Sequence, residues 1–440
     1  MFLIAPKDES NGDASFPLDR AIREREKYET LYRIKPSLKH AVNLACVWHM
    51  TGDGKMALKL IETCVEAIEN EPNAVPPEGQ ATIYLNRGMF LRGFGRMKEA
   101  ARDIWHAREL DKSSAFIAMA AAEEHLRFGD WEKGWKLHNQ TRGTCEAAAL
   151  AVALPYTTKF WDGKEHPEHL LVINEGGAGD RINYTRWLPE LSRRGIRWSF
   201  FCFDEFKPFY DRLPWIGPER TIGEAQKKEF APPPSHWTTT FSLPGPLGAS
   251  PDAIPAYPAP YSPARRHIRF DRADSRPLVG LSWNANELFQ GGLKVRSLTE
   301  GQAMRLVSLT ADKICWVNLQ HKHKMPFPVL NVPFSTWEDT ASLISELDAV
   351  VTVDCGTLWM SLALEKPTAV LLTAPEDWKF SSSWGPHLSV YRNGESDNPF
   401  DAEKAIDRMI LDIRQDRFEA ARAPSMRSTT SLRHVSAAAD

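Results

Sequence analysis

From about residue 20 to residue 145, apolar residues recur at intervals of three and four, with Ala, Leu, Glu, Lys and Arg filling the positions between them. That spacing lines one face of a helix and predicts helices throughout the segment. After residue 165 the pattern changes to short apolar runs, namely LLVIN (170–174), IRWSFFCF (196–203), PLVGLSW (277–283), ICWVNLQ (314–320), DAVVTVD (348–354) and TAVLLTA (368–374), with helical segments between them. Strands alternating with helices predict parallel sheets. Between residues 230 and 266 proline is so frequent that neither a long helix nor a central strand can form, which marks a boundary. The expected fold class is therefore α/β with an all-α N-terminal part: helices over 20–145, one α/β unit over 165–265 including the proline-rich linker, a second over 270–400, a terminal helix over 401–422, and a mobile tail over 423–440.

The helical part repeats itself. LRGFGRMKEAARD and LRFGDWEKGWKL align with Gly95 on Gly129, 34 residues apart, with Phe94 on Phe128 and Ala100 on Gly134. This is the tetratricopeptide (TPR) period. A third copy, WHMTGDGKMALKLIE, places Gly52 43 residues before Gly95, and the nine extra residues fall in NEPNAVPPEGQ, a loop-like insertion. Ala57, Ala100 and Gly134 are small enough to let the second helix of each pair approach its neighbour. A short TPR-like solenoid of about three repeats is expected, with a generic helical bundle as the alternative. Such a solenoid suggests a polypeptide partner.

Composition narrows the class. A chain of 440 residues suggests two or three domains, and a net charge of −3, from 54 basic and 57 acidic residues, gives no global attraction for nucleic acid or anionic membranes. The six cysteines (Cys46, Cys64, Cys145, Cys202, Cys315, Cys355) lack paired spacing, which fits a reducing compartment. No segment approaches 18 uncharged apolar residues and the N-terminus lacks a secretory pattern, so a cytoplasmic protein without a membrane span is expected.

Candidate chemistry lies in the loops that follow strands. In INEGGAGDR, Gly177 and Gly179 open a helix, but no third glycine follows and Asp180 stands where a pyrophosphate would sit, which argues against a dinucleotide site. Asp180 has two readings: an N-terminal helix stabiliser, or a base that takes a proton from a substrate hydroxyl. In the second unit, SWNANELFQGGLKVRSL offers Lys294, Arg296 and Ser297, and VDCGTLWM offers the leading amides at Cys355, Gly356 and Thr357, a combination suited to a diphosphate. Asp354 could orient that turn or hold a ligand hydroxyl, while Trp283, Gln320 or Trp378 could meet a base or sugar. HKHKMP (321–326) reads as a basic loop, and no zinc-hydrolase, nucleophile-elbow or GxxxxGK[ST] signature occurs. No metal site is expected.

Helical repeats followed by EGGAGDRINYTRWLPEL, VGLSWNANE, KVRSL and VDCGTLWMSLALEKPTAVLL resemble the bacterial repeat-containing glycosyltransferases related to the lipopolysaccharide heptosyltransferases, glycosyltransferase family 9-like. The resemblance spans nearly the whole chain and implies a GT-B fold: two Rossmann-like domains across a cleft, acceptor on the first, nucleotide-sugar on the second, with a terminal helix crossing back. Glu175, Gly177, Gly179, Asp180, Arg186, Leu188 and Pro189 match the family's acceptor-side motif, which assigns Asp180 as base. Trp283, Asn284, Lys294, Arg296, Ser297 and the turn Asp354, Cys355, Gly356, Thr357 match donor-binding positions. One departure stands out, because the family's Asp-Thr-x-x-x-His-Leu has Trp359 and Met360 here. The expected function is an inverting, metal-independent transfer from a nucleotide-diphosphate sugar, a co-substrate with no further cofactor. The alternative is an inactive TPR scaffold that binds a nucleotide or sugar. The acceptor class is open among protein, glycan, small metabolite and modified nucleic-acid base.

Overall fold

The computed structural model describes residues 18–145, 152–153, 155–224, 232–258, 261, 270, 275–285, 296–320, 329–374, 376–399 and 401–418. The tail over 423–440 and the last residues of the expected terminal helix lie outside them, as do Lys294 and residues 321–326.

The chain begins with helices α1 (Leu18–Ile34), α2 (Leu38–Met50), α3 (Gly54–Asn70), α4 (Pro77–Gly93), α5 (Met97–Leu110), α6 (Ala115–Arg127) and α7 (Trp131–Cys145). Helices α2 with α3, α4 with α5, and α6 with α7 form three hairpins. Their turns use Gly52, Gly95 and Gly129 at φ of 99°, 76° and 85°, a left-handed conformation that costs side-chain-bearing residues energy. The three glycines that align in sequence thus make the same turn. Ala57 and Ala100 are fully buried, and a Cβ added at Gly134 would lie 2.7 Å from Leu126, so small residues are what bring each hairpin together. Ser37 and Ser114 cap α2 and α6 by accepting from the amides of His40 and Ile117. Arg92 of α4 is buried against Glu124 of α6, which Arg127 also contacts, fixing the second hairpin to the third.

The first α/β unit contains β1 (Leu170–Ile173), α8 (Ala178–Asn183), α9 (Leu188–Arg193), β2 (Trp198–Phe201), α10 (Lys207–Asp211), β3 (Thr221–Ile222) and β4 (His236–Thr239). All pairs are parallel in the order β3-β2-β1-β4. Strand β4 comes from within the proline-rich stretch, using the four proline-free residues HWTT at the sheet's margin, where flanking prolines are tolerated. The second unit contains β5 (Leu278–Ser282), α11 (Glu300–Ser308), β6 (Cys315–Asn318), α12 (Trp337–Ser345), β7 (Ala349–Thr352), α13 (Gly356–Ala363), β8 (Thr368–Leu372), β9 (Leu388–Arg392) and α14 (Glu403–Arg414). Its sheet is also parallel, ordered β6-β5-β7-β8-β9. Strands β1, β5, β7 and β8 are buried along their whole length, as expected of parallel strands covered on both faces. The resemblance implied a terminal helix that crosses back to the first unit, whereas the buried face of α14 (Ala405, Ile406, Met409, Ile413) belongs to the second unit's own core.

One core runs across the boundaries. Leu126, Trp131 and Trp135 of the third hairpin pack in the same buried cluster as Leu188 and Phe209 of the first unit and Trp359, Trp378 and Trp384 of the second, while a second cluster joins α1 to α5 with Ile117, Ala120 and Ala121 of α6. No helix among the described residues is long and apolar enough to cross a membrane.

His49 is fully buried, stacked on Phe90 with ring centres 4.3 Å apart, and burial lowers its pKa from 6.5 to about 3. The folded chain therefore keeps this ring neutral where the unfolded chain protonates it, and acid favours unfolding between those two values. From this residue alone, stability is full above about pH 6.5 and falls by up to about 1.4 kcal/mol per pH unit below it. We expect His49→Leu to show a flatter decline in urea midpoint between pH 6.5 and pH 4 than the unaltered chain; identical slopes would contradict the assignment.

Candidate active site

Both sheets reverse strand order beside their first strand, at β1/β4 and at β5/β7. Ligands of open α/β sheets bind beyond the carboxyl ends of strands at such reversals. Here the two reversals share one cavity of about 890 Å³, lined from the first unit by Gly177 to Arg181, Phe203 and Glu205, and from the second by residues that include Arg296, Phe334, Trp337, Asp354 to Thr357, and Trp359.

The turn after β1 is held from behind. Buried Asn174 donates through Nδ2 to the carbonyl of Arg181 at 3.1 Å, and the Tyr210 hydroxyl lies 2.9 Å from Asn174 Oδ1 and 2.8 Å from the same carbonyl. Gly176 turns the chain at φ 85°, and a Cβ there would lie 2.7 Å from Phe241, so conformation and space both require glycine. Helix α8 then carries Asp180 in its first turn. Arg181 also faces the cavity, with its guanidinium 3.6 Å from the centre of the Phe203 ring and 3.1 Å from Glu205 Oε1. Burial lowers its pKa despite the attraction of Tyr210 and Glu205.

Asp180 does not stand alone. Lys379 Nζ, from the loop after β8, donates to Asp180 Oδ1 at 3.0 Å and to Asp377 Oδ2 at 2.8 Å. Lys379 is 4% exposed. Burial opposes its charge, yet Asp180 and Asp377 outweigh burial and hold its pKa well above the ordinary lysine value. Asp377 is correspondingly lowered: burial works against its charge, and the Lys379 ammonium and amide overcome it. Sequence reasoning missed this lysine. Its signal was present in EDWK following the strand TAVLLTA, the same position after a strand that drew attention to Asp180 and Asp354.

On the second unit, Arg296 Nη1 lies 3.1 Å from Asp354 Oδ2. Burial pushes the Asp354 carboxyl up, with Arg296 and Lys379 pulling the other way and the nearby Asp377 and Asp180 reinforcing the rise. For Arg296, burial works against the charge and Asp354 more than offsets it, so its pKa is raised. Cys355 precedes α13 without a side-chain capping bond; its Sγ lies 3.2 Å from Thr352 Oγ1 and 3.5 Å from Ser282 Oγ. Cys355, Gly356 and Thr357 all line the cavity, so the leading end of α13 faces it.

Other sequence candidates lie outside this lining. Ser297 Oγ donates to Asn284 Oδ1 at 2.8 Å and accepts from the Ala285 amide, while Gln320 accepts from the Asn284 amide and donates to its carbonyl. These three side chains brace the loop after β5 and are occupied with one another. Trp283 packs against the second unit's core, and its carbonyl accepts from the Leu298 amide. Glu175 is buried, its amide donating to Thr240 Oγ1. Arg186 is 2% exposed and donates to the carbonyls of Asn183, Pro255 and Trp384, with Tyr257 4.1 Å from its guanidinium. It ties the first unit, the linker and the second unit together. Trp378 is buried too, edge-on to Trp131 and Trp135, so its indole faces the helical hairpin.

Trp359 fills the junction between the units. It is 1% exposed, stacks near Phe380 and meets Trp384 edge-on at 5.4 Å. A Cβ on Gly179 would lie 2.6 Å from Trp359 Cδ1. A Cβ on Gly356 would collide with Trp337 and lie 3.1 Å from Ala178 Cβ. Glycine is thus needed at 179 and 356 because α8 and α13 abut at their leading ends.

The backbone is similar to those of glycosyltransferases. The E. coli heptosyltransferase WaaC, solved with ADP, is 14% identical, covers 56% of this chain and 99% of its own, and has a TM-score of 0.40. A glycosyl transferase of family 9 from Veillonella parvula is 10% identical over 57% of this chain and 97% of its own, with a TM-score of 0.41. A variant O-GlcNAc transferase of Thermobaculum terrenum is 12% identical over 93% of this chain and 91% of its own, at a TM-score of 0.31. No protein-family model and no curated protein matches the chain. These are likenesses of backbone and leave substrate to be argued from the site.

The two cavity glycines differ in their surroundings, since a Cβ on Gly177 would meet only Asp180 Oδ2, at 3.7 Å. Gly179→Ala should lower stability by about 1–3 kcal/mol through overpacking against Trp359, and Gly177→Ala by much less. Thermal unfolding of the two variants side by side checks this; equal melting temperatures would mean that α8 and Trp359 are not in close contact.

Proposed function

We propose that the chain is a GT-B glycosyltransferase that moves a sugar from a nucleotide-diphosphate sugar to an acceptor hydroxyl with inversion and without a metal ion. The observation that carries this reading is the pairing, across one cavity, of a carboxylate from the first unit with the leading turn of α13 and Arg296 from the second. In the proposed step Asp180 takes the acceptor proton as the acceptor oxygen bonds to the anomeric carbon. The bond from that carbon to the diphosphate oxygen breaks on the opposite face, and the nucleoside diphosphate leaves with the electron pair. Arg296 and the amides at Gly356 and Thr357 are the described groups suited to its charge. Because Arg296 already faces Asp354, an arriving phosphate competes with that carboxylate for the guanidinium.

The Trp359 substitution bears on this reading. Where the resembled pattern has a histidine, the Trp359 indole is packed among Gly179, Phe380 and Trp384. Amide donors do not depend on that side chain, which is why we keep transfer as the function. We further propose that the three hairpins are TPR-like repeats that present a surface to a polypeptide, either the acceptor or a partner.

Asp180→Asn should abolish transfer while nucleotide affinity stays within about threefold. Incubating both proteins with UDP-glucose, UDP-N-acetylglucosamine, GDP-mannose and ADP-heptose, and following nucleotide release together with thermal shift, checks this. Turnover that survives in Asp180→Asn removes Asp180 from the mechanism, and thermal shift without release from the unaltered chain favours a binding scaffold.

A further inference from the structure

The lysine behind Asp180 has no counterpart in the reading above, and its surroundings argue that it does more than balance charge. Lys379 reaches from the second unit to a carboxylate carried by the first, 199 residues away in the chain. Its contact engages Oδ1 and leaves Oδ2 on the side of Gly177, which lines the cavity with Asp180. The lysine is itself held at several points. Its amide donates to Asp377 Oδ1 at 3.0 Å, its carbonyl accepts from the Trp384 indole, and its neighbour Trp378 is wedged edge-on between Trp131 and Trp135 of the third hairpin. Arg127 at the end of α6 adds a bond to the Glu376 carbonyl at 2.8 Å. The ammonium keeps its proton throughout the working pH range, so the tether does not titrate away.

We propose that Lys379 is a positioning residue that sets the Asp180 carboxylate for proton abstraction, so that the second unit and the third helical hairpin supply the aim of a base carried by the first. This rests on Asp180 being the base of a sugar transfer. A carboxylate free to rotate spends much of its time out of line with the acceptor proton, and a misplacement on the order of 1 Å costs about a hundredfold in rate.

The test compares Asp180→Asn, Lys379→Met, Asp377→Asn and the double variant Asp377→Asn/Lys379→Met on the full chain, with the four nucleotide-sugars named above as probes. The double variant removes one charge of each sign, which keeps the buried balance if the lysine alone proves unable to fold. Lys379→Met, or the double variant where the single one unfolds, should lower kcat by about a hundredfold with KM for the nucleotide-sugar within about threefold, and Asp377→Asn, which leaves the Lys379–Asp180 contact itself in place, should lose less than Lys379→Met. Full activity in the folded double variant would overturn the proposal, since Lys379 would then serve only to neutralise Asp377. Equal losses in kcat for Asp377→Asn and Lys379→Met would overturn it as well. Turnover that persists in Asp180→Asn would instead remove the base reading on which it rests, and no turnover of any probe by the unaltered chain would end both.

Discussion

A buried ammonium keeps its charge only where carboxylates surround it, and much of the site follows from that constraint on Lys379. Its nitrogen lies 3.0 Å from Asp180 and 2.8 Å from Asp377, with almost no access to water. Removing one partner of such a contact leaves an uncompensated charge in a poor dielectric, at a cost of about 3–5 kcal/mol. The loop after β8 and the turn after β1 are therefore bound to each other by electrostatics as well as by packing. Arg296 and Asp354 form a second ion pair on the same cavity wall, and burial pushes the Asp354 carboxyl towards its neutral form while Arg296 pulls the other way.

Packing makes the same junction from the other side. Gly179 and Gly356 lack side chains where α8 and α13 meet, and Trp359 occupies the space that results. A tryptophan there asks for a glycine opposite, so the two residues are coupled by volume. The indole is buried between Gly179 and the Phe380 and Trp384 rings and forms part of the cavity wall.

Much of this was legible in the sequence, and the gaps have physical causes. Helical periodicity and the aligned Gly52, Gly95 and Gly129 foretold the hairpins because a left-handed turn leaves a local mark. The long apolar strands were readable for the same reason. Strand β3, with only Thr221 and Ile222, is too short to carry a pattern, and β9, LSVYR, is buried only at Tyr391. Residues of all three candidate loops reached the cavity, as their place after strands required, bringing Asp180, Gly177, Gly179, Arg296, Asp354, Cys355, Gly356 and Thr357 together. Arg186, Ser297, Asn284 and Gln320 have the chemistry of ligand-binding residues, but their hydrogen bonds go to the protein itself, which only three-dimensional geometry decides. Lys379 escaped notice because its partner is 199 residues distant.

The third hairpin has a consequence for how the chain can be divided. Trp131 and Trp135 belong to the same buried cluster as Trp378 and Trp384, while the core of the first two hairpins extends only to Ile117, Ala120 and Ala121 at the start of α6. Excising everything before the first sheet strand would strip several indole faces bare beside the loop that carries Lys379. A cut between α5 and α6 would keep those faces covered but would leave Glu124 without its buried contact to Arg92. The third hairpin is thus shared between two cores: Ile117, Ala120 and Ala121 of α6 pack with the preceding hairpins, and Leu126, Trp131 and Trp135 pack with the two α/β units.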